Sequence, residues 1–356
     1  MNQLDRYIGI EIARAFLLVM LALVFLFSFL DLIKQLDDVG SGSYHFSDAM
    51  LFELRMLAPR ALDLLPVGAL MGTTIALSLL AHNGEVNAAL AAGVSMLRFT
   101  WSVMMSGILL ALVAIVMDDL VVSGLHQQAV RHQVMALSEA EVTQVNEGFW
   151  IYHNNRFIHI SRVVHGRIPM GIDILELDGE QRVNRFIQAG EADLDDPNRW
   201  LLKDVSVKEL SGATVSNERV EQLQWDSLMT PEQIGLLELS PETMSPRQLF
   251  AYVRYLQGSG QQTGRYELSL WQKLTLPFSV TVMVLLAVPA AFGTPRSTSV
   301  EKRIIAAVAA GLVFQIVNQV VINSGLVLQL PPAFTTLVTP VVAALIALVL
   351  LVRARF

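Results

Sequence analysis

Two groups of residues have side chains and spacings that could do chemistry. The first is a set of cations beside long apolar runs: Lys34 follows Asp31 by three residues, and Arg55 and Arg60 precede a second apolar run. A lysine so placed either pairs with a carboxylate one helical turn back and snorkels to water, or meets an anionic lipid headgroup. For the two arginines the plainer role is interfacial anchoring, and the sharper one is a share in the same cationic rim. The second group is the alanine-rich segment Glu85–Arg98, which follows the break at Asn83-Gly84. Its composition predicts a short helix, and Glu85 at its start suits the helix dipole. It can lie along a membrane or serve as a knob for a partner.

Other chemistries lack their residues. No Gly-Lys dipeptide occurs, so the phosphate-cradling G-x-x-x-x-G-K-[ST] loop is missing, as are H-E-x-x-H and G-x-S-x-G. His153, His159 and His165 stand six apart and read as strand and turn residues facing solvent rather than a metal set. There is no cysteine, hence no disulfide, thiolate nucleophile or Cys-based metal site. The expectation is a protein that is not an enzyme and needs no cofactor or metal.

These groups sit in a chain of 356 residues that is 53% hydrophobic and 16% charged. Ordinary soluble domains are about 25% charged. Charge is concentrated between Arg131 and Glu267, where 20 acidic residues outnumber 13 basic ones; elsewhere there are 12 of each. The net charge of −7 therefore belongs to one polar block, which excludes a single soluble domain, a disordered chain and a general nucleic-acid binder. Charge-free runs at Ala15–Leu30, Leu64–Gly84, Phe99–Met117 and Leu274–Pro295 suit crossings of about 20 residues. The run from Ile304 to Val352 is too long for one crossing, and Ser324-Gly325 with Pro331-Pro332 divides it. Six spans follow, near 12–34, 62–82, 99–120, 270–293, 304–323 and 333–353. The first reads as a span rather than a cleaved leader, its apolar run exceeding the usual leader length. The short loops on the N-terminal side carry eight bases and four acids, which places both termini in the cytoplasm and the polar block outside. Asp31, Lys34, Arg60, Asp63, Asp118, Asp119 and Lys273 gather at the outer ends, leaving the midplane almost uncharged and disfavouring a proton-driven carrier. Gln315, Asn318, Gln319 and Asn323 follow helical spacing in the fifth span and suit hydrogen bonds to neighbouring helices.

In the polar block the hydrophobic period changes to two. Phe149–Tyr152 and Arg156–Ile160 flank His153-Asn154-Asn155, and Ile172–Leu177 and Arg182–Gln188 flank Asp178-Gly179; both read as hairpins. After the loop Asp195-Asp196-Pro197-Asn198, a strand runs over Trp200–Leu210 with Val205 and Val207 on one face. The strands predict an antiparallel sandwich or jelly roll. Ser245-Pro246 then starts a helix that Gly258 ends. The fold class is an α-helical integral membrane protein of six transmembrane helices, three before and three after an inserted all-β, jelly-roll-like domain. Its divisions are 1–130, 131–262, with a helix near 246–257, and 263–356.

Several local patterns together resemble the lipopolysaccharide export permease family (LptF/LptG type), most of all its G-type branch. They are Leu4-Asp5-Arg6-Tyr7-Ile8, Gly84–Ser95, Tyr252-Val253-Arg254-Tyr255-Leu256, Gly264-Arg265-Tyr266, Trp271-Gln272-Lys273 and Phe292-Gly293-Thr294-Pro295-Arg296-Ser297. The resemblance covers essentially the whole chain. It implies a permease subunit of an ATP-driven exporter in the bacterial inner membrane. That complex would pair with an F-type permease (LptF), two copies of a cytoplasmic ATPase (LptB type) and a single-span periplasmic bridge protein (LptC type). Its cargo would be lipopolysaccharide taken from the outer leaflet. The resemblance makes 84–97 a coupling helix, with Glu85, Val86, Asn87, Leu90 and Gly93 toward the ATPase. It makes Lys34 a lipid A phosphate contact, with Arg55 and Arg60 on the rim, and helices one and five the walls of a lateral gate. Where some members carry further lysines, this sequence has Asp37, Asp38 and Val39, so recognition leans on Lys34, Arg55 and Arg60 or on the F-type partner.

Overall fold

Apolar runs of this length satisfy their backbone polar groups only as helices in a membrane, and the computed structural model has six helices long and apolar enough to cross one. It describes residues 3–40, 43–138, 149–153, 156–164, 168–177, 183–196, 199–211, 214–226, 240–258, 263–292 and 300–353. His165 and the expected turns at Asn154-Asn155, Asp178-Gly179 and Pro197-Asn198 lie outside these residues, as does Gly293–Ser297. In chain order the helices are α1 (Gln3–Leu36), α2 (Phe46–Asp63), α3 (Leu65–His82), α4 (Glu85–Ala91), α5 (Met96–Met117), α6 (Ser123–Ser138), α7 (Pro246–Gly258), α8 (Gly264–Phe292), α9 (Val300–Val327) and α10 (Pro332–Arg353). The strands are β1 (Phe149–His153), β2 (Arg156–Val164), β3 (Ile168–Leu177), β4 (Val183–Asp196), β5 (Arg199–Ser211) and β6 (Thr214–Asp226).

Two compact units result: a helical one of Met1–Ala140, Ser245–Arg247 and Glu267–Phe356, and a β-rich one of Glu141–Met244 and Gln248–Tyr266. The helical unit extends past the expected limit at 130 because α5 runs through a π-helical turn, Asp118–Val122, directly into α6. Helix α1 buries Ile8, Ile12, Phe16 and Met20, one residue per turn along a single stripe. That stripe meets Gly68 and Gly72 of α3. A Cβ on Gly72 would come within 2.6 Å of the Phe16 backbone, so glycine is what lets the two helices cross this closely. Around them Leu77, Val103 and Val284 complete a core.

Two expectations change here. The Ser324-Gly325 pair does not break the last apolar run: α9 continues through it to Val327, and the turn falls at Leu328–Pro331, with Gln329 at φ 52°. Gly325 serves instead for close approach, since a Cβ there would lie 2.3 Å from Thr335 Cγ2 on α10. The segment 46–63, from which only two arginines stood out, is a separate helix. Its backbone starts at His45, whose N–H donates to Asp48 (2.8 Å), and Leu64 divides it from α3.

In the β-rich unit the six strands form one antiparallel sheet in the order β1-β2-β3-β4-β5-β6. The expected all-β insertion is present. Each strand pairs with its neighbours in sequence, a meander, and no Greek-key crossing occurs among the described residues. Ile158, Ile160, Ile172, Ile174 and Ile187 are fully buried on one face. A row of irregular positions crosses the sheet at Ser161, Gly171 (φ 62°), Gly190 and Asp204 (φ 52°), which the register sets side by side. On either side of it the buried alternation slips by one residue: Val207 and Val205 on one side, Leu202 and Trp200 on the other. Helix α7 begins and ends where Pro246 and Gly258 predict.

Candidate functional site

Lys34 sits in the last turn of α1, 77% exposed, with its ammonium 2.7 Å from Asp31 Oδ1. An exposed i,i+3 pair holds such a side chain weakly, so its charge stays free to meet another anion. Asp31 is shared. Its other oxygen accepts from Arg60 Nη2 at 2.7 Å, while Arg60 Nη1 donates to Glu53 Oε2 at 2.7 Å and to Ser28 Oγ. Arg60 is only 9% exposed and Glu53 6%. The guanidinium is thus committed to clamping α2 onto α1 and faces the protein, whereas Lys34 faces out. Arg55, half-buried, donates to the Gln128 carbonyl of α6 at 3.4 Å. Of the three rim cations in the sequence, the structure therefore leaves Lys34 open, ties Arg55 lightly and buries Arg60.

At the other end of α1 lies the segment that follows α3. Gly84 takes φ 78°, a left-handed conformation that a side chain would strain, and turns the chain into α4. Helix α4 spans seven residues rather than the expected fourteen. Gly93 (φ 87°) stops it, with Gly93 N–H on the Leu90 carbonyl and Val94 N–H on the Ala89 carbonyl, and Ser95 caps the next helix by accepting from Arg98 N. Val86 is 5% exposed and packs into the core with Leu80 and Val288. Asn87, Leu90 and Gly93 remain at the surface. Glu85 looks back toward α1: its Oε2 accepts from the Tyr7 hydroxyl at 2.8 Å and its Oε1 from Asn83 at 3.5 Å. Asp5, two residues before Tyr7, accepts from Ser102 of α5.

A third arrangement was not foreseen as a pair. Lys273 of α8 places its ammonium 2.9 Å from both oxygens of Asp118, the first residue of the π-turn, and Ser123 Oγ donates to the same carboxylate at 3.0 Å. A single extra residue per turn rotates Asp118 inward, and π-turns recur where such reorientation is needed. The signal in the sequence was the paired Asp118-Asp119 opposite Lys273, but only the π-turn decides which of the two carboxylates enters. Asp119 pairs with Arg247 at 2.8 Å. Among the described residues no group of three metal-ligating side chains occurs.

Comparison with known proteins decides what these parts belong to. The model of the family described as lipopolysaccharide export system permease LptF/LptG matches residues 6–353. The chain belongs to the LptF/LptG permease family. It is similar to the protein named lipopolysaccharide export system permease protein LptG of Escherichia coli (strain K12), 30% identical over 352 residues and 98% of each chain. The protein of the same name from Haemophilus influenzae (strain ATCC 51907 / DSM 11121 / KW20 / Rd) is 27% identical over 355 residues and 99% of each chain. Within this LptF/LptG member, sequence segments that carried the resemblance make contacts with one another or with residues outside them. Tyr7 meets Glu85, from two such segments, and Lys273 meets Asp118, which lies in none. Tyr252 and Tyr266 pack edge to face with ring centres 4.7 Å apart. Tyr252 is almost fully buried, which holds its hydroxyl well above the ordinary tyrosine range.

Proposed function

We propose that this chain is the G-type transmembrane subunit of an ATP-driven lipopolysaccharide exporter, seated in the bacterial inner membrane with both termini cytoplasmic and the β-rich unit periplasmic. It shelters the acyl chains of a lipopolysaccharide molecule drawn from the outer leaflet and passes the lipid toward a periplasmic bridge that includes a single-span protein (LptC type). A paralogous F-type permease (LptF) supplies the other half of the cavity. Hydrolysis belongs to two copies of a cytoplasmic ATPase (LptB type), in keeping with a sequence that has no phosphate-cradling loop.

The observation that carries this reading is the continuity of α1. The helix holds the bond to Glu85 near its start and Lys34 near its end, 27 residues apart, about 40 Å along a helix. A displacement of α4 by a docked motor is passed through Tyr7 to the same rod that presents the headgroup cation. Asn87, Leu90 and Gly93 offer the motor an exposed face, Val86 anchors it to the core, and Glu85 links it to α1. Helices α1 and α9 are the least covered of the six spans, which suits walls that part and close against a partner. Two arrangements of such helices, biased by a motor on one side, bind and then expel a lipid. Lys34 meets the lipid phosphate, Arg55 adds to the rim, and Arg60 holds the helix that carries the rim in place.

The test is photocrosslinking of lipopolysaccharide to the assembled complex. Lys34→Glu is expected to reduce crosslinking several-fold while the complex purifies intact. Glu85→Lys is expected to leave lipid loading in place but to abolish ATP-dependent release. Undiminished crosslinking in the first variant removes Lys34 from the site, and normal release in the second removes Glu85 from the coupling path.

A further inference from the structure

The helical unit contains a cavity of about 670 Å³ among α3, α8, α9 and α10 that none of the steps above uses. Its lining is apolar except at two positions, Thr339 and Arg353. Val313, Val342 and Ile346, which border it, are about half exposed, so the space opens sideways at the depth of the lipid chains. Leaving such a cleft empty forfeits the dispersion contacts of its whole lining, and its volume falls within the range of small-molecule sites. Thr339, 7% exposed, keeps a buried hydroxyl with no hydrogen-bond partner in the part of the lining farthest along α10 from Arg353.

The charged end is distinctive. Arg353 closes α10, and Arg303, in the first turn of α9, lies one turn from the lining residues Ala306 and Ala307. Helices α9 and α10 are antiparallel neighbours, so both guanidinium groups stand at the same end of the unit. Arg303 Nε is buried without a hydrogen-bond partner. Because successive spans alternate in direction, this is the end that carries Glu85, opposite Lys34. Thr339 and Arg353 are fourteen residues apart, about 21 Å. That exceeds half of a hydrocarbon core of about 30 Å, so the cleft reaches from one membrane face past the midplane. One guanidinium in the lining of an apolar interhelical cleft, with a second at the same end of the neighbouring helix, matches the chemistry of a phosphodiester headgroup with its acyl chain.

We propose that this cleft is a second lipid site. It binds one anionic glycerophospholipid of the leaflet at the Arg303–Arg353 end, with an acyl chain between α8, α9 and α10 and its phosphate against the two arginines. The site is separate from the Lys34 rim and does not rest on the export reading.

The test uses the full chain, purified with the subunits that accompany it and reconstituted into phosphatidylethanolamine vesicles. The vesicles are doped with either phosphatidylglycerol or phosphatidylcholine bearing a photoreactive group on one acyl chain. Phosphatidylglycerol is expected to label peptides of α8, α9 and α10 in preference to phosphatidylcholine. Arg353→Gln is expected to cut that preference about fivefold, the value of one basic group at a membrane surface. Ala310→Phe, which fills the cleft, is expected to abolish labelling by both lipids. Equal labelling by the two lipids, labelling indifferent to Ala310→Phe, or crosslinks from these residues to another subunit in place of lipid overturns the proposal. Arg353 is exposed, so the headgroup half of the test stands even if Ala310→Phe folds poorly. Labelling is read without lipopolysaccharide or ATP, so its failure is distinguishable from failure of the export reading.

Discussion

Lys34 and Arg60 stand on the same rim, carry the same charge and share Asp31, yet burial gives them opposite roles. Lys34 loses little when its exposed pair is removed, so Lys34→Gln is expected to change the thermal stability of the detergent-solubilised complex by less than about 1 kcal/mol. Arg60 is different. Removing it leaves Glu53, already with one unpartnered buried oxygen, without a counter-charge. Arg60→Gln is therefore expected to cost about 3 kcal/mol or more, read as a lowered unfolding temperature. Tyr252 makes a third case at this scale. Its hydroxyl titrates higher folded than unfolded, so the stability it contributes is fully present below the ordinary tyrosine value of about 10 and is lost as pH climbs. Alkaline titration followed by tyrosinate absorbance is expected to reveal Tyr252 only as the protein unfolds.

Among the elements, α4 and its flanking glycines carry the coupling proposed above. Gly84 and Gly93 both hold positive φ, so Gly84→Ala is expected to cost about 1 kcal/mol and to impair ATP-dependent release more than assembly. Tyr7→Phe removes only the hydroxyl that donates to Glu85. Release is expected to fall while ATP hydrolysis continues, and an unchanged ratio of release to hydrolysis would remove the Tyr7 link from the path. The crossing of α1 and α3 is the complementary case. Gly72→Val sets a branched side chain against the Phe16 backbone, and the expected cost of 1–3 kcal/mol or more appears as loss of assembled complex.

For the molecule as a whole, the Asp118–Lys273 pair joins the three spans before the β-rich unit to the three after it. Lys273→Met alone leaves a buried carboxylate unpaired and is expected to destabilise the helical unit by about 3 kcal/mol. The double variant Asp118→Leu with Lys273→Met is expected to recover most of that loss, because a buried pair exchanged for apolar residues is often close to neutral. Thermal unfolding of the two variants in the same detergent separates a structural pair from a merely incidental one.

The sequence alone determined what depends on composition and local pattern. Six apolar spans, an alternating polar block between the third and fourth, the helix after Ser245 and the cations at the span ends were all legible, because membrane burial and the two hydrophobic periods write themselves residue by residue. Helix α2 escaped, since Asp48, Glu53, Arg55, Pro59 and Arg60 interrupt its apolar residues and keep it from standing out as a charge-free run. Ser324-Gly325 looked like a break, because a glycine that allows two helices to touch has the same letter as one that ends a helix. Only the tertiary structure decided that Asp118 rather than Asp119 meets Lys273, that Arg60 is inside and Lys34 outside, and that Glu85 bonds to Tyr7 across 78 residues. Each of those outcomes turns on distance between helices remote in the chain, a quantity that hydrophobic periodicity and charge counting do not contain.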